Sequence, residues 1–349
     1  MGPTGETSVS PVLGFVARRA ALGLLVVVGV VVLTFVIARV VPGDPAASWV
    51  GPHATPQELA KAHHDLGLDK SVPRQVVDYL HGIVVGDWGV SIHTKHSVLS
   101  DLASRAPASV ELVVAALLIA LALGIPLGLA SARWRGRAPD LLVRFAAVAG
   151  VSMPVFWLAL ILQLIFFQKL GILPVAGQYD PNLDYTSPLA AHTHMAVVDA
   201  LVEGNWPVLW SALQHLVLPA VVVAAYPLGV IARMVRASVL ETLGEEHVRM
   251  VRALGFPERA VFWRFGLKPA LNPIVAITAL VFAYSLANTF LVEAIFDWPG
   301  LGSYVAASTQ SLDTPAIIGV TLLIAIVYVV SNLIVDIVQA FLDPRIRLS

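Results

Sequence analysis

Residues Ala20–Val41 read AALGLLVVVGVVVLTFVIARVV, with a single charge, Arg39, near the end. A helix rises 1.5 Å per residue and the hydrocarbon core of a bilayer is about 30 Å thick, so about 20 consecutive apolar residues suffice to cross it. This stretch meets that length. Working outward, Pro107–Ala132, Leu141–Gln168, Leu213–Val235, Pro269–Leu291 and Ala316–Leu342 meet it as well. The 349 residues are 57% hydrophobic and 13% charged, with a mean hydropathy of +0.80. Soluble domains carry roughly 25% charged residues. The expected fold is therefore an all-α membrane protein of six helices over residues 20–349, preceded by a short segment, 1–19. A formal net charge of −1 gives no reason to expect nucleic acid as a partner. The absence of cysteine excludes disulfides, thiolate metal sites and cysteine nucleophiles.

Arg18 and Arg19 before an apolar run resemble the start of a signal peptide. The run is too long for that, and no small-residue cleavage site comes after it. Instead the chain enters Val41-Pro42-Gly43-Asp44-Pro45, a rigid turn, so the segment reads as a retained anchor. Basic residues favour the cytoplasmic side. With the N-terminus inside, Arg133, Arg135, Arg137, Arg144, Arg233, Arg236, Arg249, Arg252, Arg259, Arg264, Lys268, Arg345 and Arg347 join Arg18 and Arg19 there. Arg39, Lys61, Lys70, Arg74, Lys95, Arg105 and Lys169 fall outside, most of them in one long segment where the bias counts for less. Both termini are expected in the cytoplasm.

That orientation leaves two extracytoplasmic stretches, 42–106 between the first two helices and 171–210 after the third. In the first, Thr55-Pro56-Gln57-Glu58 is a helix-start signal. Val76, Val77 and Leu80 suggest a second short helix. The turn Gly86-Asp87-Trp88-Gly89 then leads into an extended stretch. The second, with scattered prolines and little periodicity, is expected to be irregular with short helices.

The cytoplasmic loop 236–268 contains Glu245-Glu246-His247-Val248-Arg249-Met250-Val251-Arg252-Ala253-Leu254-Gly255-Phe256-Pro257. Val248, Val251 and Leu254 make one apolar face. Glu245 stands four residues before Arg249, the favourable order for a helical ion pair. Gly255 is placed to end the helix in the left-handed conformation, and Pro257 prevents its continuation. The residues alone describe a short amphipathic helix at the membrane surface, equally an ordinary interfacial helix or a docking element.

With the later Leu267-Lys268-Pro269-Ala270-Leu271-Asn272-Pro273-Ile274, this stretch resembles the EAA loop of binding-protein-dependent ABC importer permeases. Arg249 stands where many members have the motif's glutamate, and Met250 and Val251 are bulkier than the usual small residues. Four further stretches resemble the B-type permease of the dipeptide, oligopeptide and nickel importers: Arg39–Pro45, Leu66–Asp69, Gly86–Ser91 and Val292–Gly302. The resemblance covers nearly the whole chain, apart from about ten N-terminal residues and the stretch 177–210. It implies a six-helix type I importer transmembrane domain in the cell membrane. It also implies that Glu246, Val248, Arg249, Val251, Arg252, Ala253, Leu254, Gly255 and Phe256 couple to an ATPase subunit. The implied partners are a homologous second permease, two ATPase subunits holding ATP and Mg, and an extracytoplasmic solute-binding protein. ATP binding would close the ATPase pair, and the coupling helix would pass that movement to the bundle. The chain itself would carry no cofactor, no metal and no catalytic residue.

Polar groups within or beside spans mark either helix–helix bonds or a solute path. Gln163, Tyr284, Asn288 and Glu293 are the candidates for a translocation path or outer gate, while Asn332, Asp336 and Gln339 read as structural. Pro126, Pro154, Pro219 and Pro227 are expected to bend or break their helices. His192-Thr193-His194 offers two metal ligands, short of the three or four a transition-metal site needs. None of the five lysines comes directly after a glycine, so the chain has no P-loop, and it has neither a Gly-x-Ser-x-Gly elbow nor a His-Glu-x-x-His motif. The alternatives are an ion-coupled secondary transporter or channel, which needs a charged relay at the midplane, and an intramembrane enzyme, for which no catalytic constellation is present.

Overall fold

The computed structural model describes residues 9–40, 44–51 and 53–342. Among these residues the structure is helical, with no strand beyond a single bridge between Val90 and Ser97. Four helices contain segments long and apolar enough to cross a membrane: Arg18–Ile37, Val98–Arg133, Trp206–Gly244 and Thr314–Ile334. Two bent pairs complete six spans, Ala138–Ser152 with Val155–Lys169 and Glu258–Ala270 with Pro273–Leu286.

The Val98–Arg133 and Trp206–Gly244 helices form the centre of the bundle and make its most extensive contact. Small residues let the two backbones meet, as is usual where lipid offers no hydrophobic drive for association. A Cβ on Gly128 would stand 2.6 Å from the carbonyl oxygen of Ala232 and 2.7 Å from Cβ of Val235. Leu112, Ala116, Ala120, Ile231 and Val235 fill the rest of this core. The first helix packs on the last through Val31, Phe35, Ile318 and Leu322. Its other flank, including Leu24 and Leu25, is exposed and apolar, as a lipid-facing surface must be.

The prolines divide. Pro107 and Pro126 lie inside one central helix, and Pro219 and Pro227 inside the other, without interrupting either. The third span breaks at Pro154: Met153 takes an extended conformation (ψ 131°) before it, and the two halves meet at 104°. The residue before a proline is disfavoured in the helical region. Pro219 and Pro227 are buried in a packed helix, where neighbouring groups can take up the backbone bonds a proline frees. The fifth span bends by 48°.

The stretch 44–106 holds helices Pro45–Val50, Pro56–Asp65 and Val72–Val85; the expected turn residues Val41, Pro42 and Gly43 lie outside the described residues. Thr55 and Glu58 form the reciprocal cap that the sequence signals, with Glu58 N–H donating to Thr55 Oγ1 at 3.3 Å and Thr55 N–H to the Glu58 carboxylate at 2.8 Å. Residues 90–97 are not extended as expected. They fold back, Ser91 N–H donating to His96 O, because buried Asp313 gathers the Ser91 hydroxyl (2.5 Å) and the His93 N–H (3.0 Å). Residues 171–205 are irregular around two short helices, Leu183–Thr186 and Ala196–Glu203.

Candidate functional site

At the end of the bundle where most arginines collect, helix Glu246–Ala253 leaves the central Trp206–Gly244 helix through Glu245. Val248 is fully buried beneath it and Val251 half-buried, while Glu246, Arg249, Arg252 and Ala253 face outward. The helix stops in a Schellman arrangement: Phe256 N–H donates to Val251 O, Gly255 N–H to Arg252 O, and Gly255 sits at φ +82°. A Cβ there would meet nothing within 4 Å, so only the backbone conformation demands glycine.

Two expectations change at this helix. Glu245 pairs with His247 at 3.0 Å rather than with Arg249, because Glu245 is the cap residue, outside the helical register that an i,i+4 pair needs. Leu254 does not complete the buried face. It is 66% exposed, as is Met250, and with the half-exposed Phe256 they make an apolar surface beside Arg249, which has no ion-pair partner among the described residues. Met250 was legible as a bulky residue but not as part of that surface. Arg252 is held in place, its guanidinium donating to Glu258 Oε1 at 3.0 Å and to Leu243 O at 3.2 Å.

The broken third span opens a cavity of about 240 Å³ against the central Trp206–Gly244 helix. Gly150, Met153, Tyr226, Tyr284, Ser285 and Asn288 line it with aliphatic neighbours, and among the described residues no carboxylate or basic side chain does so. Tyr284 and Tyr226 face each other with ring centroids 4.9 Å apart. Asn288 donates to Tyr284 O at 2.8 Å, which leaves its amide oxygen available. Of the four path candidates, Tyr284 and Asn288 therefore share one cavity. Tyr226 was missed; nothing in the sequence sets it opposite a residue 58 positions later.

Gln163 and Glu293 sit elsewhere. The Gln163 amide donates to Val175 O (3.1 Å) and Ile295 O (3.3 Å), tying the start of the 171–205 stretch to helix Phe290–Ile295. Glu293 is fully buried and accepts the Gly302 N–H at 2.6 Å. Beside it, Trp298 donates its indole N–H to Ala108 O at 2.8 Å, and Leu301 N–H donates to Ser109 Oγ. This knot closes residues 293–302 over the far end of the Val98–Arg133 helix. Of the structural candidates, Asn332 donates to Tyr328 O, and the side chains of Asp336 and Gln339 lie outside the described residues. His192 is paired with Glu203 at 2.9 Å, and the described residues contain no cluster of three metal-binding side chains.

The bundle thus has a central pair of long helices, two bent spans and an arginine-flanked helix stopped by a left-handed glycine. The family model described as binding-protein-dependent transport system inner membrane component matches residues 124–348, and its N-terminal counterpart matches residues 12–113. The chain belongs to this permease family. The permease is 41% identical to the probable D,D-dipeptide transport system permease protein of Escherichia coli over 95% of this chain and 97% of that one. It is 35% identical to the dipeptide transport system permease protein of Alkalihalophilus pseudofirmus, over 96% and 99%. To the glutathione transport system permease protein of Salmonella typhimurium it is 33% identical, again over 96% and 99%. The permease is thus an integral membrane subunit of a binding-protein-dependent importer, a multi-subunit ABC system, and not a secondary transporter or channel.

Proposed function

We propose that this permease forms half of the translocation path of an ATP-driven importer for di- and oligopeptides, with helix Glu246–Ala253 as its contact to an ATPase subunit. The apolar surface of Met250, Leu254 and Phe256 carries the reading. Val248 is buried completely while these three are left uncovered by the chain, a surface that a partner would complete. Arg249 adds a cation with no carboxylate of its own, suited to an acidic rim on that partner.

In this reading both termini and the loop 236–268 are cytoplasmic, and 42–106 and 171–210 are extracytoplasmic and face the solute-binding protein. A homologous permease supplies the other half of the path. Two ATPase subunits hold ATP and Mg, since this chain has no phosphate loop. The relatives named for dipeptides and glutathione favour a peptide solute, and the uncharged cavity with Tyr284 and Asn288 suits peptide groups. Gln163 and Glu293 act on the path as fixed supports of its outer edge.

The test is Gly255→Val against Gly204→Val. Both glycines are left-handed (φ +82° and +66°) at the end of a short helix, and neither has an atom within 4 Å of an added Cβ. The strain, about 1–2 kcal/mol, is therefore matched. Gly255→Val is expected to abolish peptide uptake or ATPase co-purification while Gly204→Val transports; equal uptake by both removes the helix from the mechanism. Sidedness is read separately: an impermeant thiol reagent on intact cells should label Ser97→Cys and not Gly136→Cys.

A further inference from the structure

A second cavity, of about 640 Å³, opens beside the coupling helix, between the ends of the two central helices. Arg133, Arg135, Arg137, Arg252 and Arg259 line it, with Glu258 as its one carboxylate. Glu258 is taken by Arg252 at 3.0 Å. Asp140, the acid that opens the next helix, is taken by Arg236 at 2.8 Å, by the Ser131 hydroxyl and by Gly136 N–H. Arg133 rests over the Phe262 ring, 6.0 Å from its centroid. Among the described residues, Arg135, Arg137 and Arg259 thus converge on one concavity without an anion.

Orientation by positive charge needs only that arginines be on one side, not that they converge. Arg264 and Lys268 lie at the same end and do not line the cavity. Its depth is also fixed. Arg133 ends one crossing helix and Ala138 begins the next span, so the turn between them lies where bilayer meets water. Trp134, on the cavity wall and 41% exposed, is the residue type most at home at that level. A guanidinium fork matches the paired oxygens of a phosphodiester.

We infer that this cavity binds the phosphate headgroup of an anionic phospholipid, phosphatidylglycerol or cardiolipin, with Arg135, Arg137 and Arg259 as its ligands and Trp134 against the glycerol backbone. Basic pockets between spanning helices at a bilayer surface suit such headgroups. The lipid would sit directly beside Arg252, joining the membrane to the coupling helix. The inference rests on the chain being a membrane permease and not on which face is cytoplasmic.

The test uses the permease with its co-expressed partner subunits, in nanodiscs of equal phosphatidylcholine, phosphatidylglycerol and cardiolipin. Lipids retained after release into detergent are counted by native mass spectrometry. Anionic lipid should be enriched about tenfold over phosphatidylcholine. The triple variant Arg135→Gln, Arg137→Gln, Arg259→Gln should lose that enrichment. The corresponding triple lysine variant should keep only part of it, having the charge without the fork, while Arg264→Gln with Lys268→Gln should keep most of it. Equal loss in the glutamine triple and in Arg264→Gln with Lys268→Gln would reduce the effect to diffuse surface charge and overturn the site. Displacement of the lipid by inorganic phosphate alone overturns the lipid as its ligand. Unchanged lipid retention with loss of the ATPase subunits assigns the cavity to a protein partner instead. Because both leaflets carry anionic lipid, a reversed topology leaves these outcomes intact and shows only in the cysteine labelling.

Discussion

Trp298, at one end of the bundle, is 1% exposed and has its indole N–H bonded to Ala108 O, while at the other end Met250 and Leu254 stand 66% exposed. Both regions lie in motifs that resemble the same family, and both join spanning helices. The knot around Glu293 and Trp298 is closed by hydrogen bonds within the chain, although Glu293 Oε1 is buried without one among the described residues. The helix around Arg249 is held to the bundle through Val248 and Arg252, and its largest apolar side chains are left uncovered by the chain. A motif shared across a family thus marks a requirement without saying whether it is internal stability or an outside partner. Burial separates the two.

Breaking the closed end should cost the most. Trp298→Ala removes a fully packed indole and is expected to destabilise the chain by about 3–5 kcal/mol, read as loss of the folded monodisperse peak and a large fall in Tm in detergent. A small change would place the knot outside the core. Gly128→Val tests the seam between the central helices, where an added side chain must push Ala232 and Val235 aside, at about 1–3 kcal/mol. Its Tm should fall while Gly29→Val, in open space on the first helix and free of left-handed backbone, changes it less. Met250→Asp with Leu254→Asp should sharpen the contrast from the other side. Exposed substitutions cost within about 0.5 kcal/mol, so Tm should hold while ATPase subunits no longer co-purify. Retained co-purification would detach those side chains from the interface. The smallest effect is expected from Asn288→Ala in the cavity: unchanged Tm and a KM for dipeptide uptake raised by a factor of about 2–10, the worth of one hydrogen bond.

Hydropathy located the spans because lipid imposes length and apolarity on every crossing. It did not give their true ends. The helix expected from Pro107 starts at Val98, since Asp101, Ser104 and Arg105 belong to a turn that projects beyond the apolar run. Nor did proline chemistry say which proline would break its helix. Pro154 does, while buried Pro219 and exposed Pro126 do not, a division that the local sequence does not carry. The same holds for the sites. The stop at Gly255 was legible, being local backbone chemistry. The meeting of Tyr226 with Tyr284, and of Arg135 with Arg259, depends on helices that touch far along the chain.

The unbroken helix Trp206–Gly244 has 39 residues, and at 1.5 Å per residue it is about 58 Å long, nearly twice the thickness of a hydrocarbon core. It runs from Asn205, beside the last short helix of one loop, to Glu245, where the arginine-flanked helix begins. Neither internal proline interrupts it, so the element is one continuous lever. Pivoted at its Glu245 end, a tilt of about 5° would carry the Trp206 end through about 5 Å, so under the proposed coupling a small rotation beside helix Glu246–Ala253 would become the width of a peptide backbone at the opposite end.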